Sequence, residues 1–174
     1  TLRHANIVTI YEVNEADGRL FIAMELADGP SLAGHITERG GLSWQEVRDL
    51  IKPVCAALDY AHNQGVVHRD LKPHNIFLSG SGSGRVAKVG DYGLAKAFDT
   101  AGLSGHTRSG QDVGGTLAFM PRQQLRDFKY AKPEVDVYAV AASLYCMLTG
   151  QIPRDFPPKR DPFKILLDTA PVPI

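Results

Sequence analysis

The chain has 174 residues, 44% apolar and 22% charged, which suits one domain with a hydrophobic core. Lysine and arginine number 19 against 19 aspartates and glutamates, so charge gives no reason to expect a nucleic-acid or anionic-membrane partner. The two cysteines, Cys55 and Cys146, are too few for a disulfide framework and read as buried thiols of a reducing compartment. No apolar run is long enough to cross a bilayer and no signal-peptide pattern follows Thr1, so a cytoplasmic location is expected.

In chain order, residues 7–13 and 20–26 read as two strands, with Glu15-Ala16-Asp17-Gly18 as the turn of a hairpin. After the Gly29-Pro30 break, Ser31 is placed to cap a helix over Leu32–Arg39. Ser43 and Glu46 form a capping-box pattern that opens a helix from Trp44 to Asn63. Its stripe of Trp44, Val47, Ile51, Val54, Leu58 and Ala61 should face the core, and Pro53 should kink or break it. Two short strands, 76–78 and 86–89, flank a Ser/Gly turn, and the chain to about 133 reads as irregular. Glu134–Leu148 is a helix apolar nearly all round, hence expected to be buried on every side. One short helix, Pro162–Asp168, follows. It is too little to cover its predecessor, and further sequence is expected beyond both ends.

Chemistry concentrates in His68-Arg69-Asp70-Leu71-Lys72-Pro73-His74-Asn75, a loop between the long helix and a short strand. Asp70 can accept the proton of an incoming hydroxyl. Lys72 can neutralise charge on a phosphoryl group in transfer, and Asn75 offers the oxygen ligand that magnesium prefers. Asp91-Tyr92-Gly93 follows the second strand of the hairpin. If the turn centres on Ser83, strand pairing sets Asn75 opposite Asp91, bringing two magnesium ligands together. Gly80-Ser81-Gly82-Ser83-Gly84-Arg85-Val86-Ala87-Lys88 imitates a phosphate-binding glycine loop. Arg85 stands where the third glycine is needed, so the stretch reads as a hairpin turn. The histidines and cysteines lack a zinc-like spacing.

These residues resemble the protein kinase family, particularly its bacterial serine/threonine members. The pattern H-R-D-L-x-x-x-N is met in full, and D-F-G is met with Tyr92 for phenylalanine. The resemblance implies an α+β fold, with residues 1–26 a two-strand remnant of the N-terminal lobe (strands 4 and 5). Residues 27–174 would be the mostly helical C-terminal lobe, cut before its last helices. It implies transfer of the ATP γ-phosphoryl group to serine or threonine hydroxyls of a protein substrate. Asp70 would be the base, with Lys72, Asn75 and Thr116 beside it and magnesium held by Asn75 and Asp91. Met24 would be the gatekeeper, the backbone of Glu25 and Ala27 would grip adenine, and Phe77 would lie beneath its ring. His68 is expected to pack near Tyr92, and Asp136 to brace the loop from the following helix. Arg69 resembles the cation that docks a phosphorylated activation loop, for which Thr100, Ser104, Thr107 and Ser109 are candidates.

The match has departures. Pro121-Arg122-Gln123 stands at A-P-E, with Gln123 for the glutamate whose arginine partner would lie beyond Ile174. Tyr138 replaces a common tryptophan and Ala141 a common glycine. The glycine-rich loop and strand lysine that cover the phosphates would precede Thr1, so this chain by itself is expected to have little activity. Two alternatives stay open: a non-catalytic pseudokinase or truncated scaffold, and a small-molecule phosphotransferase of related fold.

Overall fold

Asp17 and Gly18 take left-handed φ values of 52° and 71° and close a two-residue turn, the geometry that twists in step with flanking strands. The turn joins β1 (Ile10–Ala16) to β2 (Arg19–Met24), paired antiparallel from Ala16–Arg19 to Ile10–Met24 with an irregularity between Ile10 and Glu12. The computed structural model describes residues 2–80, 84–92, 113–126 and 132–173. β1 begins three residues later than expected because Ile7 and Val8 serve another part of the fold. Both are buried, and the Val8 amide donates to the Val89 carbonyl (2.9 Å) while Val89 donates to Asn6 (2.8 Å).

Ser31 accepts from the Gly34 amide and opens α1 (Leu32–Arg39), which ends on Gly40 at φ 73°. Ser43 accepts from the Glu46 amide and opens α2 (Trp44–Asn63). Only half of the expected capping box is thereby used, since the Glu46 carboxylate pairs with His35 at 2.9 Å. Pro53 does not break α2. It removes the donor to the Asp49 carbonyl, and Asp49 lies on the exposed face, where water can replace that donor. The buried stripe is Val47, Leu50, Val54, Ala57, Leu58 and Ala61. Trp44, expected inside, is 64% exposed because it lies off the face that buries Val47, and Ile51 is half-buried.

β3 (Ile76–Ser79) and β4 (Val86–Val89) pair antiparallel, and Ile76, Leu78, Ala87 and Val89 are buried beneath α1 and α2. The stretch expected to be irregular contains two short helices, α3 (Val113–Leu117) and α4 (Arg122–Arg126). The run Thr116–Pro121 between and around them is buried. Leu117, Met120 and Leu166 build a small second core, the last from α6 (Pro162–Asp168). α5 (Glu134–Thr149) turns Val135, Ala139, Ala142, Ser143, Cys146 and Met147 inward. It is not buried on every side: Val137 is 64% exposed and Ala141 exposed, one turn apart on the face that no described element covers. Burial pushes the Cys146 thiol up to about 11, as expected of a packed cysteine. Cys55, expected inside, is exposed, because its position on α2 falls outside the buried stripe. Among the described residues no helix is long and apolar enough to cross a membrane.

Candidate active site

The loop from His68 to Asn75 is held from below by one carboxylate. Asp136, in the first turn of α5 and fully buried, accepts from the amides of His68 and Arg69 (2.9 Å each). It also bonds His62 Nε2 at 2.7 Å. Three partners offset what burying an aspartate would otherwise cost. Between those clamped amides and Asp70, Arg69 takes φ 68°, a conformation that side chains other than glycine adopt only under constraint. The resemblance suggested Asp136 for this brace, and these bonds supply it.

His68 links the loop to the end of β4. Its Nε2 meets the Gly90 carbonyl at 2.8 Å, which requires a proton there, so Nδ1 accepts from the Asp70 amide at 3.3 Å. Its ring packs against Tyr92 with centroids 4.7 Å apart, as expected for a structural histidine. The Tyr92 hydroxyl is buried with no partner among the described residues, and burial raises its pKa.

The expected catalytic side chains converge. Lys72 Nζ lies 3.4 Å from Asp70 Oδ2 and donates to Thr116 Oγ1 at 3.0 Å, tying the loop to α3. Asn75 Nδ2 donates to the Asp70 carbonyl at 2.8 Å and lies 3.4 Å from its carboxylate. Asn75 thus has its amide nitrogen turned to Asp70, which leaves the amide oxygen as the atom able to meet a cation.

The register differs from expectation by one residue. Ile76 pairs with Val89, and the Gly90 amide donates to the Asn75 carbonyl at 2.8 Å, so Asn75 sits opposite Gly90 and not Asp91. The hairpin is centred half a residue earlier than Ser83, and Asp91 leaves the ladder at φ 59°. It stays in the group nonetheless, coupled electrostatically to His68, Asp70 and Lys72. Burial is the main cause that raises the Asp91 pKa, and no hydrogen bond to its carboxylate offsets that burial among the described residues. A half-buried carboxylate that accepts no hydrogen bond among the described residues suits a magnesium ion, for which the Asn75 amide oxygen would be a second ligand and water and phosphate oxygens the others. Among the described residues no cluster of three or more His, Cys, Asp or Glu could hold a metal by itself.

Met24, Glu25 and Ala27 lie at and just past the end of β2. Met24 is 41% exposed. The Glu25 amide donates to the Thr9 carbonyl (2.8 Å), and its carboxylate pairs with Lys88 Nζ (2.5 Å) and accepts from the Thr9 amide (3.2 Å). Lys88 pairs across the ladder with Phe77, so this ion pair joins the segment after β2 to the β3–β4 hairpin. Phe77 is half-buried. Its ring lies so close to Gly90 that a Cβ there would stand 2.6 Å from Cε2.

Three contributors escaped the sequence reading. Lys88 was set aside with the glycine-rich imitation, although its polar place in Val86-Ala87-Lys88-Val89 marks a strand face with a partner. Arg122, counted as a departure, donates to the carbonyls of Leu166 (3.1 Å) and Thr169 (2.6 Å), capping the C-terminal end of α6. Gln124 is 3% exposed, and its Nε2 donates to the Arg69 carbonyl (2.5 Å). The apolar run Leu117–Met120 ahead of it was the only signal for it in the sequence. Gly93, the Ser81–Ser83 turn and the hydroxyls Thr100, Ser104, Thr107 and Ser109 lie outside the described residues.

Comparison with known proteins agrees with this arrangement. The family model described as "Protein kinase domain" matches residues 1–169. The chain is 36% identical over 154 residues to probable serine/threonine-protein kinase PknB of Lactococcus lactis, covering 88% of this chain and 23% of that protein. It is 36% identical over 155 residues to serine/threonine-protein kinase PrkC of Bacillus subtilis, covering 89% and 23%. The same identity relates it to sperm motility kinase 2B of Mus musculus, with 87% and 30% covered. The chain therefore spans between about a quarter and a third of these relatives' lengths. Its fold resembles the crystal structure of Rad53 1–466 in complex with AMP-PNP, with a TM-score of 0.72, 24% identity, and 94% of this chain and 38% of that one covered. With the His68–Asn75 loop braced by Asp136 and the family model spanning nearly every residue, this chain belongs to the protein kinase family.

Proposed function

We propose that this chain is the larger part of the catalytic unit of a protein serine/threonine kinase, which transfers the ATP γ-phosphoryl group to serine or threonine hydroxyls of a protein substrate. The observation that carries the reading is the bridge of Lys72 between Asp70 and Thr116, with Asn75 holding Asp70 from the other side. Asp70 accepts the proton of the substrate hydroxyl as its oxygen attacks phosphorus. Lys72 stands beside that carboxylate and neutralises charge gathering on the transferred group. Asn75 and Asp91 are the residues that would hold magnesium, which when bound screens the phosphate charge. The Glu25 carbonyl and Ala27 amide present the adenine-binding edge, with Met24 before them and Phe77 beneath the ring. The Glu25 amide is already engaged by Thr9, so its carbonyl is the group left for the adenine amine. Residues 1–26 act as part of the N-terminal lobe and the remainder as the C-terminal lobe. Arg69, whose Nε is buried without a partner among the described residues, suits the docking of a phosphorylated loop hydroxyl.

The scaffold reading has two grounds, the glycine-rich loop and strand lysine that this chain does not contain and the Arg122-Gln123 departure, and the structure bears on the second. Arg122 is engaged with α6, so that departure marks a different way of fastening the C-terminal segment and does not speak for lost chemistry. The decisive experiment is Asp70→Asn in the full-length protein, followed by phosphate incorporation from labelled ATP. A fall of about 100-fold to 10,000-fold with unchanged thermal stability is expected. Equal incorporation by both proteins would overturn the assignment of Asp70.

A further inference from the structure

We infer that Gln124 is a positioning residue for phosphoryl transfer, its buried carboxamide fixing the peptide that carries Asp70; the inference rests on the kinase reading of the same site. The Arg69 carbonyl and the Asp70 amide belong to one planar peptide group. That plane is gripped at both edges: Gln124 Nε2 donates to its oxygen, and its N–H donates to His68 Nδ1 at 3.3 Å. Arg69 enters it at φ 68°, and such strain persists only where the surroundings over-determine the backbone. Asp136 fixes the amides before the plane, yet it touches nothing after the Arg69 nitrogen. The rotation that aims Asp70 is therefore held by Gln124 at the carbonyl, with His68 at the N–H edge.

The source of each restraint matters. Asp136 belongs to α5 and His68 to the loop itself, whereas Gln124 belongs to α4. Thr116, from the same 113–126 stretch, reaches the loop at Lys72. The stretch thus holds the loop on both sides of Asp70, through Arg69 before it and Lys72 after it. Displacing α4 would free the peptide plane while the Asp136 brace stayed in place. Gln124 is 3% exposed, so water is not at hand to replace its donor, and a residue without a donor leaves the Arg69 carbonyl unsatisfied.

The test is Gln124→Met in the full-length protein, which keeps the volume and removes the donor. Three quantities are read: kcat and KM for ATP in autophosphorylation, and hydrogen exchange of the amides of residues 69–71, with Arg69 as the internal reference. Expected are a kcat at least about tenfold lower with KM for ATP changed less than about twofold, since no adenine-binding group is touched. Exchange at residues 70 and 71 should quicken, while the Arg69 amide, held by Asp136, and the amides of α2 exchange as in the wild type. Wild-type kcat with wild-type exchange would overturn the inference, as would a fall in kcat matched by faster exchange throughout α2 and α5. Should the variant not fold, the wild type still decides. Its Gln124 side-chain amide protons should exchange slowly by NMR, and exchange at the rate of an exposed glutamine would refute the bond. The kinase reading fails separately, if wild type and Asp70→Asn incorporate phosphate equally, and the exchange measurements judge Gln124 without turnover.

Discussion

Among the described residues are two antiparallel strand pairs of the same simple kind, and they have opposite fates. In β1–β2 the side chains of Tyr11, Val13, Phe21 and Met24 are 69%, 53%, 41% and 41% exposed. In β3–β4 the side chains of Ile76, Leu78, Ala87 and Val89 are at most 1% exposed. The exposed hairpin is the longer one, with an Asp17-Gly18 turn suited to it, so ladder length and turn chemistry do not decide burial. What decides it is whether another layer lies against the sheet. β3–β4 has α2 behind β4 and α1 against β3, and it is the hairpin whose ends carry Asn75 and Asp91. Placing those side chains accurately requires strands that cannot shift, which packing at crystal-like density provides.

The largest test of this contrast is truncation on each side of it. Leu78→Ala should cost about 2–5 kcal/mol in denaturant unfolding. Val13→Ala should stay within about 0.5 kcal/mol, as exposed substitutions do. Similar losses from the two would show that a layer covers β1–β2 in solution.

A second comparison uses glycines. A Cβ on Gly29 would fall 1.7 Å from the Leu78 carbonyl oxygen, where the segment after β2 runs beside β3, so Gly29→Ala must displace backbone. A loss of about 3 kcal/mol is expected. At Gly18 a Cβ would meet nothing, and only the left-handed φ of 71° opposes it, so Gly18→Ala should cost about 1 kcal/mol. Thermal midpoints of the two variants measured side by side check the ranking.

The smallest effect concerns the ion pair that joins the two regions. Lys88 beside Glu25 holds its carboxyl below the usual 4.5. A depressed carboxyl contributes stability above its unfolded pKa and loses it as pH falls through the folded value. Lys88→Met should therefore cost at most about 1 kcal/mol near neutral pH, because the pair is partly solvated. The difference from wild type should shrink as pH falls below 4.5 and vanish once Glu25 is protonated. A difference that persisted in acid would assign the loss to packing of the lysine stem.

Much of this was legible along the chain. The caps Ser31 and Ser43 set the starts of α1 and α2 because capping is local: a hydroxyl meets an amide three residues away. The His68–Asn75 motif pointed to the protein kinase family because the chemistry of that family sets particular groups at close spacing, whatever surrounds them. The sequence failed where the answer depended on a partner distant in the chain. Trp44 and Cys55 carry apolar side chains, yet their exposure depends on what lies beside α2. The register of β3–β4 lies one residue from what the position of the turn indicates, and the bonds of Val89 to Asn6 and Val8 that accompany it leave no trace in the sequence. Gln124 and Arg122 gave almost no signal, since a glutamine or arginine acquires a task only when a carbonyl arrives opposite it. Local hydrogen-bonding rules and the needs of the chemistry were thus written in the order of residues. Which surfaces are covered, and which buried polar groups must find each other, was decided by tertiary structure, because both depend on contacts between elements that composition and spacing do not encode.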